Sequence, residues 1–261
     1  MHKNLFEYSA ANRLVVALIK AVKSNIFSLK NLPNPAGFFD EAEKIIQYSP
    51  MFYNPYTEKI GEYPNILNDD SVICGHKGKW KTFFQKEKLM LEIGTGMGNF
   101  FANYAENNPA VGCIGIELKF KRLYRTYEKC VEKGRRDIIL LRIMGQRIIE
   151  IFETEEVDEV YLLFSDPWPK KAHHKHRIIQ PEFLKNISKI LAPNGIFFIK
   201  TDDDAYATWI SEHLDQSGIF EYQMTVDEDP EKRANPKNST EFETIWRSQG
   251  KKITAFICKK K

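Results

Sequence analysis

The 261-residue chain lacks several features that would fix a protein's class at once. It has four cysteines, Cys74, Cys113, Cys130 and Cys258, and no two form a C-x-x-C pair. Their spacing suits neither a zinc site nor a compact disulfide framework. Cys113 and Cys258 sit inside apolar runs, where a free thiol behaves as a small hydrophobe. The four are expected to be reduced structural thiols of a cytoplasmic protein. No stretch approaches the roughly 18 uninterrupted apolar residues of a membrane span. Leu14 to Val22 comes nearest to a signal peptide, but Lys20 interrupts it and no small-residue cleavage site follows. Net charge is scarce too: 38 basic against 35 acidic residues leave +3. Any attraction to nucleic acid must therefore come from local clustering. There is no internal repeat and no low-complexity tract, which excludes a repeat array.

What is present is a globular composition, 43% hydrophobic and 28% charged, with ample material for a core. Residues 9–24 read as an amphipathic helix, with Leu14, Ala17, Leu18 and Ala21 at helical spacing. Leu32-Pro33-Asn34-Pro35-Ala36-Gly37 then breaks the chain, and from 38 to 73 aromatics mix with turn formers without a period. From about residue 88 the pattern changes. Strand candidates at 88–93, 111–116, 138–143, 157–164, 196–200, 220–226 and 253–258 alternate with helix candidates at 98–107, 119–133, 145–152, 181–191 and 203–215. Such alternation predicts an α/β fold with a mainly parallel seven-stranded sheet covered on both faces. The last two strands lack a clear helix between them, which suits an antiparallel end of the sheet.

Leu91-Glu92-Ile93-Gly94-Thr95-Gly96-Met97-Gly98-Asn99 follows the first of these strands and opens a helix. Glycines there let the backbone turn sharply and lie close to a ligand. The dinucleotide pattern G-x-G-x-x-G would need glycine at 99, where Asn99 stands. Glu92 would repel a pyrophosphate and suits an amine or cation. Glu117, closing the next strand, can accept from the ribose hydroxyls of a nucleoside.

The second dense stretch is Phe164-Ser165-Asp166-Pro167-Trp168-Pro169-Lys170-Lys171, followed by Ala172-His173-His174-Lys175-His176-Arg177. Two prolines stop the strand and stiffen the backbone. A carboxylate and an indole are held beside positive charge at a strand's carboxyl end, where open α/β sheets bind ligands. Lys170, Lys171, Lys175 and Arg177 are expected to hold phosphates. Lys119, Lys121, Arg122, Arg125 and Lys129 form a second basic stretch, which reads equally as an RNA contact or a solvated helix face. The three histidines have no carboxylate or cysteine at ligand spacing. They read as RNA-facing, and no metal is expected.

The glycine turn with its two acids resembles the Rossmann-like S-adenosylmethionine-dependent methyltransferases. With Asp-Pro-Trp-Pro-Lys added, the chain from about Lys77 onward resembles the bacterial tRNA (guanine-N7)-methyltransferases. Lys77-Gly78-Lys79-Trp80, Lys200-Thr201-Asp202 and Thr240-Glu241-Phe242-Glu243 share in the likeness. The resemblance implies an N-terminal extension, 1–76, and a methyltransferase domain, 77–261. It implies S-adenosylmethionine as cofactor, bound by Glu92, Gly94, Gly96, Glu117, Met144 and Asp166. Asp166 is implied as the active-site acid. Lys170, Asp202, Thr240, Glu241, Phe242 and Glu243 are implied as tRNA contacts around a variable-loop guanosine. The expected protein is a cytoplasmic monomer or homodimer with no membrane or metal partner. Where the family has an acid or amide facing the adenine, this chain has Met144, whose thioether cannot accept in the same way. Either Gln146 or a backbone carbonyl takes that role, or affinity for the cofactor is reduced.

Guanine N7 carries an available lone pair, so little general-base work is needed and alignment should dominate, worth roughly 7–11 kcal/mol in favourable cases. Asp166 reads as an acceptor for guanine's Watson–Crick edge or for the cofactor's amino group. Trp168 either stacks a base or buttresses the prolines. Two rival readings are exocyclic amino-methylation of adenine or glutamine, and a non-catalytic RNA scaffold on the same fold.

Overall fold

The short apolar runs at 88–93, 111–116 and 138–141, bounded by charge or glycine, become strands buried on both faces. In the computed structural model, which describes residues 54–227 and 240–261, the elements are α1 (Pro55–Ile60), β1 (Ile66–Leu67), α2 (Asp70–Gly75), α3 (Trp80–Phe84), β2 (Lys88–Ile93), α4 (Asn99–Asn107), β3 (Val111–Ile116), α5 (Phe120–Glu132) and β4 (Ile138–Leu141). There follow α6 (Ile148–Ile151), β5 (Val157–Leu163), α7 (Pro181–Ile190), β6 (Leu191–Thr201), α8 (Asp204–Ser217), β7 (Phe220–Asp227), α9 (Glu241–Ser248) and β8 (Ile253–Lys260). A 3-10 turn occupies Gly145–Arg147 and a six-residue 3-10 segment Lys171–His176. One compact unit spans Pro55–Lys261, and residues 55–76, grouped with the extension on sequence, sit in it. The helix expected at 9–24 and the proline-rich break at 32–37 lie outside the described residues.

The sheet order is β1-β4-β3-β2-β5-β6-β8-β7. Strands β1 to β6 pair in parallel, and β8 runs antiparallel to both β6 and β7. From β2 the chain steps outward through β3 to β4, then returns to place β5 on the other side of β2. That reversal is the topological switch point, where the carboxyl ends of the strands open a crevice. Side chains alternate along β2. Leu89, Leu91 and Ile93 enter the core with α6, α7 and α8, while Met90 enters the opposite core with α4 and α5. Glu92 shares the Met90 face by the same alternation.

The sheet has eight strands where seven were expected. Ile66–Leu67 pairs in parallel with Leu140–Leu141, and the Asn65 amide pins the edge by donating to the carbonyls of Arg136 and Ile138 at 2.9 Å each. Two residues are too few to show a period. Strand β6 starts at Leu191, before the expected Ile196, because Leu191 pairs with Val157 across a bulge and Asn194 takes φ +64°. The expected helix 145–152 is a 3-10 turn followed by one turn of α-helix. A helix, α9, stands between the last two strands.

The Lys77-Gly78-Lys79-Trp80 stretch owes its position to one carboxylate. Glu156, 8% exposed, accepts from the amides of Gly78 (3.0 Å), Trp80 (2.9 Å) and Glu153 (2.8 Å). The Trp80 ring is fully buried and its indole N–H donates to the Ile151 carbonyl at 3.0 Å. Glu156→Ala is expected to lower the unfolding free energy by about 1–3 kcal/mol, the range for stranding a buried donor. The readout is a lower urea midpoint at unchanged slope. Glu156→Gln keeps one accepting oxygen and should fall between the two. A wild-type midpoint in both variants would contradict the anchoring role.

Candidate active site

The turn after β2 is built on left-handed backbone. Gly94, Gly96 and Gly98 have φ of +84°, +55° and +80°, a region that costs other residues about 1–2 kcal/mol. The amides of Gly94 and Thr95 both donate to the Ile116 carbonyl, at 2.7 and 3.1 Å, which ties the turn to the end of β3. Gly98 begins α4 against α5 so closely that a Cβ there would lie 2.6 Å from the Thr126 Cα. On Gly94 and Gly96 a Cβ would meet nothing within 4 Å, because both face open space.

That space is a cavity of about 460 Å³ at the switch point. It runs from Glu92 and the glycine turn, past Glu117, Leu118 and Met144, to Asp166, Trp168 and Phe242. Glu92 is 2% exposed, and its Oε2 is buried with no hydrogen-bond partner among the described residues. Burial pushes its carboxyl well above the usual carboxylate range, and the charge of Glu117 adds to the shift. Glu117 is placed differently. Its Oε1 accepts from the amides of Leu118 (2.8 Å) and Lys119 (2.9 Å), and its Oε2 from Gly96 N (3.2 Å). Arg122 Nη1 stands 3.6 Å from that same Oε2. About one of the four acceptor positions of a carboxylate is left over. One acid is thus satisfied by nearby backbone, and the other has an oxygen with no donor among the described residues.

The Asp-Pro-Trp-Pro loop leaves β5 under strain. Phe164 has φ +55° and Trp168 +43°, left-handed values that are outliers for bulky residues. The Phe164 amide donates to the Lys200 carbonyl at 2.9 Å, and the Ser165 hydroxyl lies 3.2 Å from that of Tyr206. Asp166 is exposed on the cavity wall, with no hydrogen bond to its carboxylate from any described residue. The half-buried Trp168 ring packs against His176 (5.1 Å) and His173 (5.8 Å), and His174 packs against Trp209 (5.3 Å). Lys170, Lys171 and Lys175 are exposed. Arg177 corrects the sequence reading that made it a phosphate contact. It is 4% exposed, donates from Nε to the Pro167 carbonyl at 2.7 Å and lies over the rings of Tyr206 and Trp209. A run of cations carries no mark of which member turns inward.

The remaining expected residues divide. Met144, half exposed, and Gln146 both line the cavity, while Lys170 and Asp202 do not. Asp202 pairs with Lys251 at 3.0 Å. Thr240 caps α9 by accepting from the Glu243 amide at 2.9 Å. Glu243 is 1% exposed, its two oxygens held by Lys200 (2.8 Å) and Arg247 (2.7 Å). Thr240 and Phe242 line the cavity, and Glu241 is the first residue of α9. On α5, Arg122 faces Glu117, Arg125 pairs with Glu128 and Lys129 donates to Asn99, whereas Lys119 and Lys121 are exposed. Leu118 and His176 also line the cavity. Leu118 could have been found from its place directly after the strand-end acid. Among the described residues no three His, Cys, Asp or Glu side chains converge as metal ligands.

The Glu92 shift fixes a pH dependence. The unfolded chain ionises this acid at an ordinary value, the folded chain only at a higher one, so folding retains a proton between the two. Stability is full below the usual carboxylate range and falls as pH rises toward the raised value. Glu92→Gln removes that loss. Its thermal midpoint should exceed wild type on the alkaline side of the carboxylate range and converge with it in acid. Parallel midpoint curves for the two proteins would show that Glu92 does not resist ionisation.

Comparison with known proteins identifies the fold and the family. Residues 86–256 match the family model described as "Putative methyltransferase". Two solved structures share the fold at a TM-score of 0.50: an antibiotic-related methyltransferase (17% identity, 69% of this chain and 92% of that one) and the 16S rRNA (adenine(1408)-N(1))-methyltransferase of Catenulisporales acidiphilia (10%, 69% and 91%). A bifunctional glycosyltransferase/methyltransferase of Fusobacterium nucleatum is 34% identical over 94% of this chain, which spans 38% of its length. The tRNA (guanine-N(7)-)-methyltransferase of Macrococcus caseolyticus is 32% identical over 78% of this chain and 96% of its own. That of Geobacillus kaustophilus is 32% identical over 75% and 89%. With an orphaned acid, a glycine turn and a proline-stiffened Asp-Trp loop around one cavity, and with relatives matched over nearly their whole length, the chain belongs to the tRNA (guanine-N(7)-)-methyltransferase family.

Proposed function

We propose that this protein transfers a methyl group from S-adenosylmethionine to N7 of a guanosine in tRNA, in the cytoplasm. The observation that carries the reading is the single cavity that joins Glu92 to the Asp166 loop. The residues fit the cofactor. Glu92 has a buried oxygen without a donor among the described residues, which the α-amino group of an amino acid would satisfy. Gly94 and Gly96 leave their cavity side bare, so backbone can lie against the ligand. Glu117 would take a ribose hydroxyl, and Met144 with Gln146 would border the adenine. A non-catalytic scaffold has no use for a buried, unpaired carboxylate, and this separates the two readings.

S-adenosylmethionine supplies, when bound, a methyl carbon already activated by a sulfonium. Guanine N7 presents a lone pair, so no side chain has to remove a proton before attack. The base becomes cationic as N7 takes the methyl, and the electrons of the broken carbon–sulfur bond leave with a neutral thioether. Asp166, exposed beside the cavity, accepts from the donors of guanine's Watson–Crick edge and offsets that charge. The unpaired Glu92 answers the amino group, which leaves Asp166 for the base. Trp168 and Phe242 on the cavity wall supply ring surface against the purine, whose stacking is worth about 1–3 kcal/mol. Lys170, Lys171 and Lys175 would hold phosphates on the exposed side of the loop. Among the described residues no helix is long and apolar enough to cross a membrane.

Incubation with unmodified tRNA and methyl-labelled cofactor, followed by nucleoside digestion and mass analysis, should yield labelled 7-methylguanosine. Label in an exocyclic N-methyl nucleoside would overturn the reading. Asp166→Ala should lower turnover by about 100-fold or more, the scale of losing one preorganised electrostatic contact, and undiminished turnover would remove its role. For Lys170→Ala the slope of log affinity for tRNA against log salt should become shallower by about one unit. An unchanged slope would show that Lys170 touches no phosphate.

A further inference from the structure

We infer that Arg177 is a positioning residue: by holding the Pro167 carbonyl it fixes the Asp166 carboxylate and the Trp168 ring at the cavity. The inference rests on the reading of Asp166 given above. A guanidinium buried to this depth normally sits against a carboxylate, since an unpaired buried charge costs several kcal/mol. No described acid pairs with Arg177. Its Nε donates to the Pro167 carbonyl at 2.7 Å. Its Cζ lies 5.2 Å from the Tyr206 ring centre and 4.8 Å from that of Trp209, and such contacts gain strength when desolvated.

The aromatic pair is itself locked. Tyr206 is fully buried, with its hydroxyl 3.2 Å from the Ser165 hydroxyl. Trp209 donates from its indole to the Ile179 carbonyl at 2.8 Å and stacks on His213 at 4.0 Å. Both contacts tie the arginine to α8, a fourteen-residue helix. Arg177 therefore joins a rigid helix to the carbonyl of Pro167, the one residue between Asp166 and Trp168. The loop it holds is strained at both ends, at Phe164 (φ +55°) and Trp168 (φ +43°). Such backbone persists only where surrounding contacts over-determine it. A mere core staple would hold a relaxed segment away from the cavity. This one holds the segment whose neighbours on both sides line it.

The test uses the full chain labelled with 5-fluorotryptophan. Its four tryptophans give four fluorine resonances, each assigned by a single Trp→Phe change. In Arg177→Met the Trp168 resonance should shift and broaden while the buried Trp80 resonance stays. Turnover on tRNA should fall roughly 100-fold, the scale of a misplacement of about 1 Å. Michaelis constants for tRNA and affinity for S-adenosylhomocysteine by calorimetry should stay near wild type. Arg177→Lys keeps the charge but loses the planar donor. It should show the same pattern, and it serves if the methionine variant does not fold. A Trp168 resonance and turnover both at wild-type values would overturn the proposal. So would a parallel loss of cofactor affinity and of the Trp80 resonance, which would make Arg177 a general support. If the wild type methylates no RNA, the functional reading fails, and the Trp168 resonance still decides whether Arg177 holds the loop.

Discussion

A carboxylate buried at the end of the central strand, with one oxygen unpartnered among the described residues, is the constraint around which the rest of this structure is arranged. Folding gains nothing from Glu92 in that state, since desolvation disfavours its charge and Glu117 repels it. The surrounding elements keep the site open rather than satisfying it. Three left-handed glycines carry the backbone around the cavity, and their amides are spent on Ile116 and Thr95 or on holding Glu117. Gly98 lets α4 close on α5, so the turn cannot relax away from the strands. On the proposed function, the unmet acceptor is a preorganised half of an interaction whose other half is the ligand's amino group.

The other side of the cavity is strained and braced. Bulky residues at Phe164 and Trp168 take positive φ, and the cost is offset by contacts from three directions. Strand β6 holds the Phe164 amide, α8 reaches the loop through Tyr206 and Arg177, and the 3-10 turn packs two histidines on Trp168. The charges of α9 serve a similar end. Glu243 is locked between Lys200 and Arg247, which fixes the helix that carries Phe242 to the cavity wall. Residues that read as RNA contacts on the bare sequence thus include some that build the site and others left exposed.

That division explains how far the sequence was legible. Strands β2, β3 and β4 were readable because each is an apolar run buried on both faces, and the glycine turn because left-handed backbone favours glycine. Their positions agree with the structure to within a residue or two for Lys88–Ile93, Val111–Ile116 and Asn99–Asn107. Ile66–Leu67 was not readable, because a two-residue strand gains its pairing from β4 and carries no pattern of its own. Helix α9 was hidden because its short mixed sequence is held by tertiary ion pairs and a threonine cap. Arg177 was misread because charge along the chain does not record direction. Its inward turn is set by rings on α8, about 30 residues away, whose effect no local pattern conveys.

The most direct measurement of the role of Glu92 is calorimetric titration of S-adenosylmethionine into the wild type and into Glu92→Gln. An amide keeps the shape of the side chain but cannot present a charge to the ligand's amino group. The expected result is tight binding to the wild type and a loss of affinity of about tenfold or more in the variant, the scale of one charge-assisted hydrogen bond. Equal affinity in the two proteins would contradict the assignment of Glu92 as the ligand's acceptor.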